Sequence, residues 1–249
     1  MMRRLLALFA LLLIATLAAL AVMPARWLIP ALPSNWPLAI IDAGGTIWSG
    51  SAVLAVGTGP HRRRLPDPVT WHWSFRSGPR LHFGHPWLSG PLTLALTPRG
   101  ITVSAQTLTL PAQALASMDA RIAAIHPHGR VTLRWPATRI GRQMQTATGK
   151  PLLEAEWRDA ASSLTPIHPL GHYQLTLNKA EQGARLNLTT LSGPLLLEGK
   201  GMFDRRRGLQ FQGSAKALAT AGPTVHAALQ DVLGALGPRK NNVTLLQYR

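Results

Sequence analysis

The sequence predicts a mainly β protein: an N-terminal transmembrane helix, then a periplasmic domain of two curved antiparallel sheets with a connecting helix and a C-terminal helix. Three observations predict this. Leu5 to Met23 is a run of 19 residues without a charge, and as a helix at ~1.5 Å per residue it covers ~28 Å, the depth of the hydrocarbon core. Beyond it, apolar residues recur at every second position in short runs, the period of a strand with one buried face. Twenty prolines and 22 glycines punctuate the 249 residues, which favours many short strands over a helical bundle.

The N-terminal run follows Arg3 and Arg4, and on its far side Arg26 is the only Lys or Arg before Arg62. The positive-inside rule therefore puts the short N-terminus in the cytoplasm and the remainder across the inner membrane, in the periplasm. The competing reading is a cleaved signal peptide, because Ala19-Leu20-Ala21 matches a small-x-small site. Signal h-regions are usually ~7–15 residues, shorter than this run, so an uncleaved anchor is expected.

"GGTIWSGSAVL", Gly44 to Leu54, comes next, with Trp48 between Gly45 and Gly50. Glycine lets a strand bend or a neighbour come close, so Trp48 reads as a core anchor at the start of the first sheet. In "VTWHWSF", Val69, Trp71, Trp73 and Phe75 alternate with polar residues. The same rhythm runs through Leu92, Leu94 and Leu96, then Tyr173, Leu175 and Leu177, Leu186 and Leu188, Leu195 and Leu197, and Leu209 and Phe211. Two segments break it. Leu115, Met118, Ile122 and Ile125 repeat at helical spacing, as do Val225, Ala228, Leu229, Val232, Leu233 and Leu236. Thr224 is placed to cap the second helix and Gly237-Pro238 to stop it, and both helices are expected to pack on a sheet. The pattern around Gly90–Leu96 and Gly100–Leu108 resembles that around Gly171–Leu177 and Gly183–Leu191, which admits a duplication. The expected organisation is residues 1–23 as cytoplasmic tip and anchor, 24–110 as a first β half, 111–128 as a helical connector, and 129–249 as a second β half with the C-terminal helix.

Lys and Arg number 26 against 10 Asp and Glu, a formal +16. Without Arg3 and Arg4 the exported part holds 24 basic and 10 acidic residues, +14. The dense runs His61–Arg64 and Arg205–Arg207 adjoin Gly or Pro and read as solvated loops. They do not make the aromatic-interleaved basic stripe that would indicate nucleic acid, and an exported domain rarely meets any. Anionic lipid headgroups and acidic proteins are the partners such a charge attracts. With no cysteine, disulfides, thiolate metal sites and a Cys nucleophile are excluded. No nucleophile elbow and no metalloprotease motif occurs. Gly149-Lys150 has the look of a phosphate-binding loop, but Pro151 follows it and Met144 stands where the first Gly belongs. The pairs His82/His85 and His126/His128 could ligate a metal together with a carboxylate, but two such pairs in turn-rich sequence are more often surface residues. No catalytic residue, metal or cofactor is expected, and the chain is not expected to be an enzyme.

Several segments together carry a resemblance. They are "MPARWL" (Met23 to Leu28), "GTIWSG" (Gly45 to Gly50), the W-x-W strand of Trp71 and Trp73, and "EWRDAASSLTPIHPLGHYQLTL" (Glu156 to Leu177). "LTTLSGPLLLEGKG" (Leu188 to Gly201), "LQFQGSAKA" (Leu209 to Ala217) and "VLGALG" (Val232 to Gly237) complete the series. In this order and spacing, over about Met23 to Gly237, the chain resembles the type II secretion system protein N family of Gram-negative bacteria. The basicity is not a trait of that family. The resemblance implies a single-pass inner-membrane protein whose periplasmic domain serves the machinery that exports folded proteins through a secretin, without catalytic residues or cofactor. Two roles follow: scaffolding between inner-membrane assembly proteins and the secretin, or lipid binding in an apolar trough lined by Leu92, Leu94, Leu96, Leu195 and Leu197.

Overall fold

The computed structural model describes residues 2–31, 36, 38–57, 62–117, 120–141, 145–146, 151–180, 183–204, 208–240 and 243–248. The chain is mainly β, its strands forming two antiparallel sheets with few helices. It divides into two compact units, Met1–His85 and Pro86–Arg249.

The first unit opens with helix α1, Met2–Ala21, which ends two residues before the expected Met23. From Leu5 to Val22 every side chain is exposed. Among the described residues no helix is long and apolar enough to count as a membrane span. A 3-10 turn over Ala25–Ala31 follows, and then β1 (Leu38–Gly45), β2 (Ser49–Val56), β3 (Arg63–Arg64), β4 (Val69–Ser74) and β5 (Arg80–Gly84). The order in this unit is β1-β2-β4-β5, with β3 on β2. Arg63 and Arg64 were expected in a loop. They instead pair with Val56 and Ala55 as an exposed edge strand, where charged side chains discourage further pairing. His61 and Arg205–Arg207 lie outside the described residues, as do Met144, Gly149 and Lys150.

The tryptophan at the core of this unit is Trp71, 7% exposed, whereas Trp48 is 37% exposed. The expectation that Trp48 anchors the core is therefore corrected. Trp48 stands in the turn between β1 and β2, closed by the Thr46 N–H donating to the Ser49 carbonyl at 2.9 Å, and its ring lies against Trp73 and Phe75 at the open end of β4, outside the buried cluster. The small residues nearby make room for Trp71 instead. Gly50 pairs directly with Trp71 across β2 and β4. A Cβ on Gly50 would come within 2.8 Å of the Trp71 ring and 2.4 Å of the Gly44 carbonyl. Ala25, Ala43 and Ala52 complete the socket, with Leu28, Ile29 and Leu54 packed around it. The Trp71 indole N–H donates to the Ile47 carbonyl at 3.0 Å, so the buried ring leaves no polar atom unmet.

In the second unit β6 (Leu92–Thr97), β7 (Gly100–Val103), β10 (Thr138–Ile140) and β11 (Gln145–Thr146) run antiparallel in that order. A nine-stranded sheet uses β8 (Gln106–Pro111), β9 (Pro127–Trp135), β12 (Leu153–Ser162), β13 (Gly171–Ala180), β14 (Gly183–Ser192), β15 (Leu195–Asp204), β16 (Gly208–Ala217), β17 (Arg239–Lys240) and β18 (Val243–Tyr248). Its order is β17-β18-β16-β15-β14-β13-β12-β9-β8. The helical stretch expected as a connector is a 3-10 turn over Ala112–Ser117 and one α-helical turn, α2, over Ala120–Ala124. Met118 lies outside the described residues. This stretch joins β8 to β9, which pair with each other, so it links neighbours of one sheet and does not connect two sheets.

The C-terminal helix is two short helices, α3 (Pro223–Ala228) and α4 (Gln230–Leu236), meeting at Leu229. Gly222, not Thr224, is the N-cap, because Pro223 takes the first helical position, where its missing N–H costs nothing. Leu229, Val232 and Leu233 are buried with Leu195, Leu197, Tyr173 and Ala215, and Gly237 ends α4. Along β15, Leu195 and Leu197 face the helices; further on, Gly199 and Gly201 continue that face. A Cβ on Gly199 would meet the Phe211 ring at 2.3 Å, so Phe211 lies over a floor of glycine.

Trp71→Ala is expected to cost ~3–5 kcal/mol, the range for a truncated buried aromatic, and Trp48→Ala clearly less. Thermal unfolding of the two variants beside the parent checks the order; equal losses would restore Trp48 to the core.

Candidate functional site

Two constellations gather the chemistry-bearing side chains, one in each unit. The first surrounds the end of α1. The Trp48 indole N–H donates to the Leu20 carbonyl at 2.7 Å. Ile47 N–H donates to the Met23 carbonyl at 3.0 Å, and Pro24 bridges to Thr46. A helix leaves its last carbonyls without intrahelical partners, and here a side chain of the β1–β2 turn supplies one. Three rings meet beside it. Trp48 and Trp73 are 6.3 Å apart and edge-on, Trp48 and Phe75 6.2 Å apart, and Trp73 and Phe75 6.0 Å apart and stacked. Alternation along β4 correctly put Trp71, Trp73 and Phe75 on one face, yet burial fades along it: Trp71 is covered, Trp73 partly covered and Phe75 60% exposed.

The second constellation lies on β12, in the segment "EWRDAAS". Its register against both β9 and β13 shifts near Arg158–Ala161, a β-bulge. Asp159 takes φ +49° there, a left-handed conformation that Asp tolerates better than most residues. Gly129 opposite has φ +98°, and a Cβ on it would come within 2.4 Å of the Asp159 carbonyl. The bulge re-aims side chains. Glu156 accepts from the Arg158 guanidinium at 2.6 Å and from Arg134 at 3.3 Å. These bonds, Arg158's first, outweigh partial burial and hold the Glu156 carboxyl below its ordinary range. A carboxylate so neutralised is a weak base and unsuited to proton abstraction. The Trp157 indole donates to the His128 carbonyl at 2.9 Å, and its ring lies 5.7 Å from that of Tyr173. The buried Tyr173 hydroxyl sits 2.9 Å from the Leu195 carbonyl, and burial pushes its phenol up, so it stays a neutral donor. This network braces the sheet.

The histidine pairs are placed as follows. His82 lies opposite His72 across β4 and β5, their rings stacked at 4.7 Å, and His85 follows β5. The His128 Nδ1 is 2.8 Å from the His126 carbonyl, a contact local to that turn. Among the described residues no three His, Asp or Glu come together as a metal site would require. The proposed trough residues separate too. Leu195 and Leu197 are buried beneath α4, whereas Leu96 is exposed. The depression over the opposite face of β14–β16 is lined by Asn187, Thr189, Glu198, Lys200, Gln210 and Gln212 together with Leu188 and Met202, a mixed surface that carries the charged side chains of Glu198 and Lys200. The aromatic cluster at the helix end escaped sequence reasoning, because Trp73 and Phe75 lie about fifty residues beyond Met23 in the chain.

Fold and geometry together define a β-sheet protein headed by an apolar helix, with its polar clusters engaged in holding strands. The chain belongs to the type II secretion system protein N family, whose model matches residues 37–245. No curated protein and no solved structure matches it.

A depressed carboxyl contributes stability that is present above its unfolded pKa and lost as pH falls through the folded one. Glu156 should therefore contribute above the ordinary glutamate value of ~4.3 and cease to below it. Both arginines are about half exposed, so solvent screening keeps the contribution small. Glu156→Gln should lower the melting temperature at pH 7 and match the parent at strongly acid pH; an equal deficit at both would show that the ion pairs are not its source.

Proposed function

We propose that this chain is a non-enzymatic component of the type II protein secretion machinery, anchored once in the inner membrane by α1. Its β units stand in the periplasm and scaffold or bridge other secretion components, inner-membrane assembly proteins and the secretin among them, during export of folded proteins. The family match over residues 37–245 carries this reading. It begins beyond α1, so the anchor rests on physical evidence of its own. The uncharged run to Met23 has 19 residues, ~28 Å as a helix, and its leucines are exposed. Such surface in water costs ~25 cal/mol per Å², and hydrocarbon removes that cost. Arg3 and Arg4 at one end favour the cytoplasm for the N-terminus. The support for a scaffold over an enzyme is the engagement of Glu156 and Tyr173 in structural bonds. The lipid-carrying alternative is weakened by the covered Leu195 and Leu197.

Deleting the gene should leave secreted proteins folded and trapped in the periplasm, with the inner-membrane export step intact. Normal secretion, accompanied by an altered outer-membrane lipid composition, would overturn the scaffold reading. For the anchor, a reporter active only in the periplasm and fused after Gly57 should be active, with the fusion retained in the membrane fraction at full mass. A soluble product beginning near Val22 would instead establish a cleaved signal peptide.

A further inference from the structure

We propose that Trp48, Trp73 and Phe75 seat the first unit in the lipid headgroup layer of the membrane that α1 enters, so that this unit rides on the bilayer surface; the inference rests on reading α1 as a membrane span. Three observations carry it. The rings form one contiguous patch, each centroid within 6.3 Å of the next, and Phe75 is 60% exposed. Clustered exposed aromatics on a small unit mark a contact surface, whereas single exposed apolar residues do not. The patch has a fixed place relative to the helix. Trp48 is bonded to Leu20 in the last turn of α1, and Ile47 and Thr46 are tied to Met23 and Pro24. Wherever the membrane releases α1, these rings are at that level. Amphipathic rings favour the headgroup depth.

The Leu20 carbonyl supplies the third observation. It accepts only a long bond from the Met23 N–H, at 3.4 Å; in bulk water solvent completes such a helix-end carbonyl, but at the water-poor boundary of the acyl region it needs a further protein donor. The Trp48 indole N–H is that donor, at 2.7 Å, and the ring, 37% exposed, keeps part of its apolar surface turned to its surroundings. Exposed Trp27, in the 3-10 turn after the helix, adds a further ring. Charge is complementary to phosphate: Arg26 adjoins Trp27, Arg76 adjoins Phe75, and Arg80 opens β5, all exposed. Asp42 and Asp67 are the only acidic residues of the unit. Guanidinium groups bind phosphate oxygens in bidentate fashion. Membrane lipid satisfies both the aromatic and the cationic parts of the patch at the position α1 dictates.

Because the chain has no cysteine, single fluorescent labels report the contact in full-length protein reconstituted into vesicles of phosphatidylethanolamine and phosphatidylglycerol. Labels go on Ser77→Cys, in the turn beyond Phe75; on Arg64→Cys, paired with Ala55 and so roughly 20 Å along β2 from Ser49; and on Leu13→Cys within α1. The Leu13 label should be shielded from an aqueous quencher, and the Ser77 label quenched several-fold less than the Arg64 label. Adding Phe75→Ser, at a position exposed enough to leave folding intact, should raise Ser77 quenching toward the Arg64 level. A shielded Leu13 with Ser77 and Arg64 quenched alike overturns the proposal and leaves the anchor standing, as does an unchanged Ser77 on adding Phe75→Ser. A quenched Leu13 removes the anchor and this proposal with it. Shielding of Ser77 in native membranes but not in lipid-only vesicles overturns the proposal in favour of a protein partner.

Discussion

The ring of Trp71 and the side chains of Leu195 and Leu197 are each covered by a segment that lies outside the strand order of its own unit. In the first unit it is the 3-10 turn following α1, which brings Ala25, Leu28 and Ile29 over the indole. In the second it is α3 and α4, which lay Leu229, Val232 and Leu233 over β15 and β16. An antiparallel sheet with one apolar face is stable only when that face is covered. The position of each covering segment follows. The chain must leave β16, cross the face as two short helices, and return as β18 beside β16, where the buried Thr244 hydroxyl reaches the Leu233 carbonyl. In the first unit the same requirement draws the end of α1 against the β1–β2 turn. The helix is thereby fixed to the sheet at Leu20, Met23 and Pro24 and does not hang from a loose tether.

Polar chemistry is subordinate to that packing. The carboxylate of Glu156, with two arginines upon it, and the hydroxyl of Tyr173, with backbone carbonyls around it, stabilise a bulged strand and its neighbours. Each has given its reactive capacity to a bond within the sheet. Acidic residues are few and basic ones many, so the free surface is cationic, and contacts with phosphate or with acidic protein surfaces are the interactions such a surface favours. A secretion component that acts through binding needs surfaces of this kind.

Periodicity alone determined a good deal: that the chain is mainly β, that β4, β6 and β13 to β16 exist near where they lie, and that the C-terminal apolar segment is helical and packs on a sheet. Side chains alternate across a strand with a period of two, so each strand declares itself locally. The family was legible as well, through the order of motifs from Met23 to Gly237. The tertiary structure decided depth and partnership. Alternation puts Trp71, Trp73 and Phe75 on one face without saying how far cover extends along it, and the 3-10 turn that provides the cover comes from forty residues upstream. Gly50 suggested a buried ring close by, and only the register that sets it opposite Trp71 showed which one. The strand β18 carries too short a pattern to declare itself and owes its place to β16, some thirty residues earlier. Local sequence dictates which way a side chain faces; what lies above it depends on contacts between residues far apart in the chain, and those exist only once the sheets have formed.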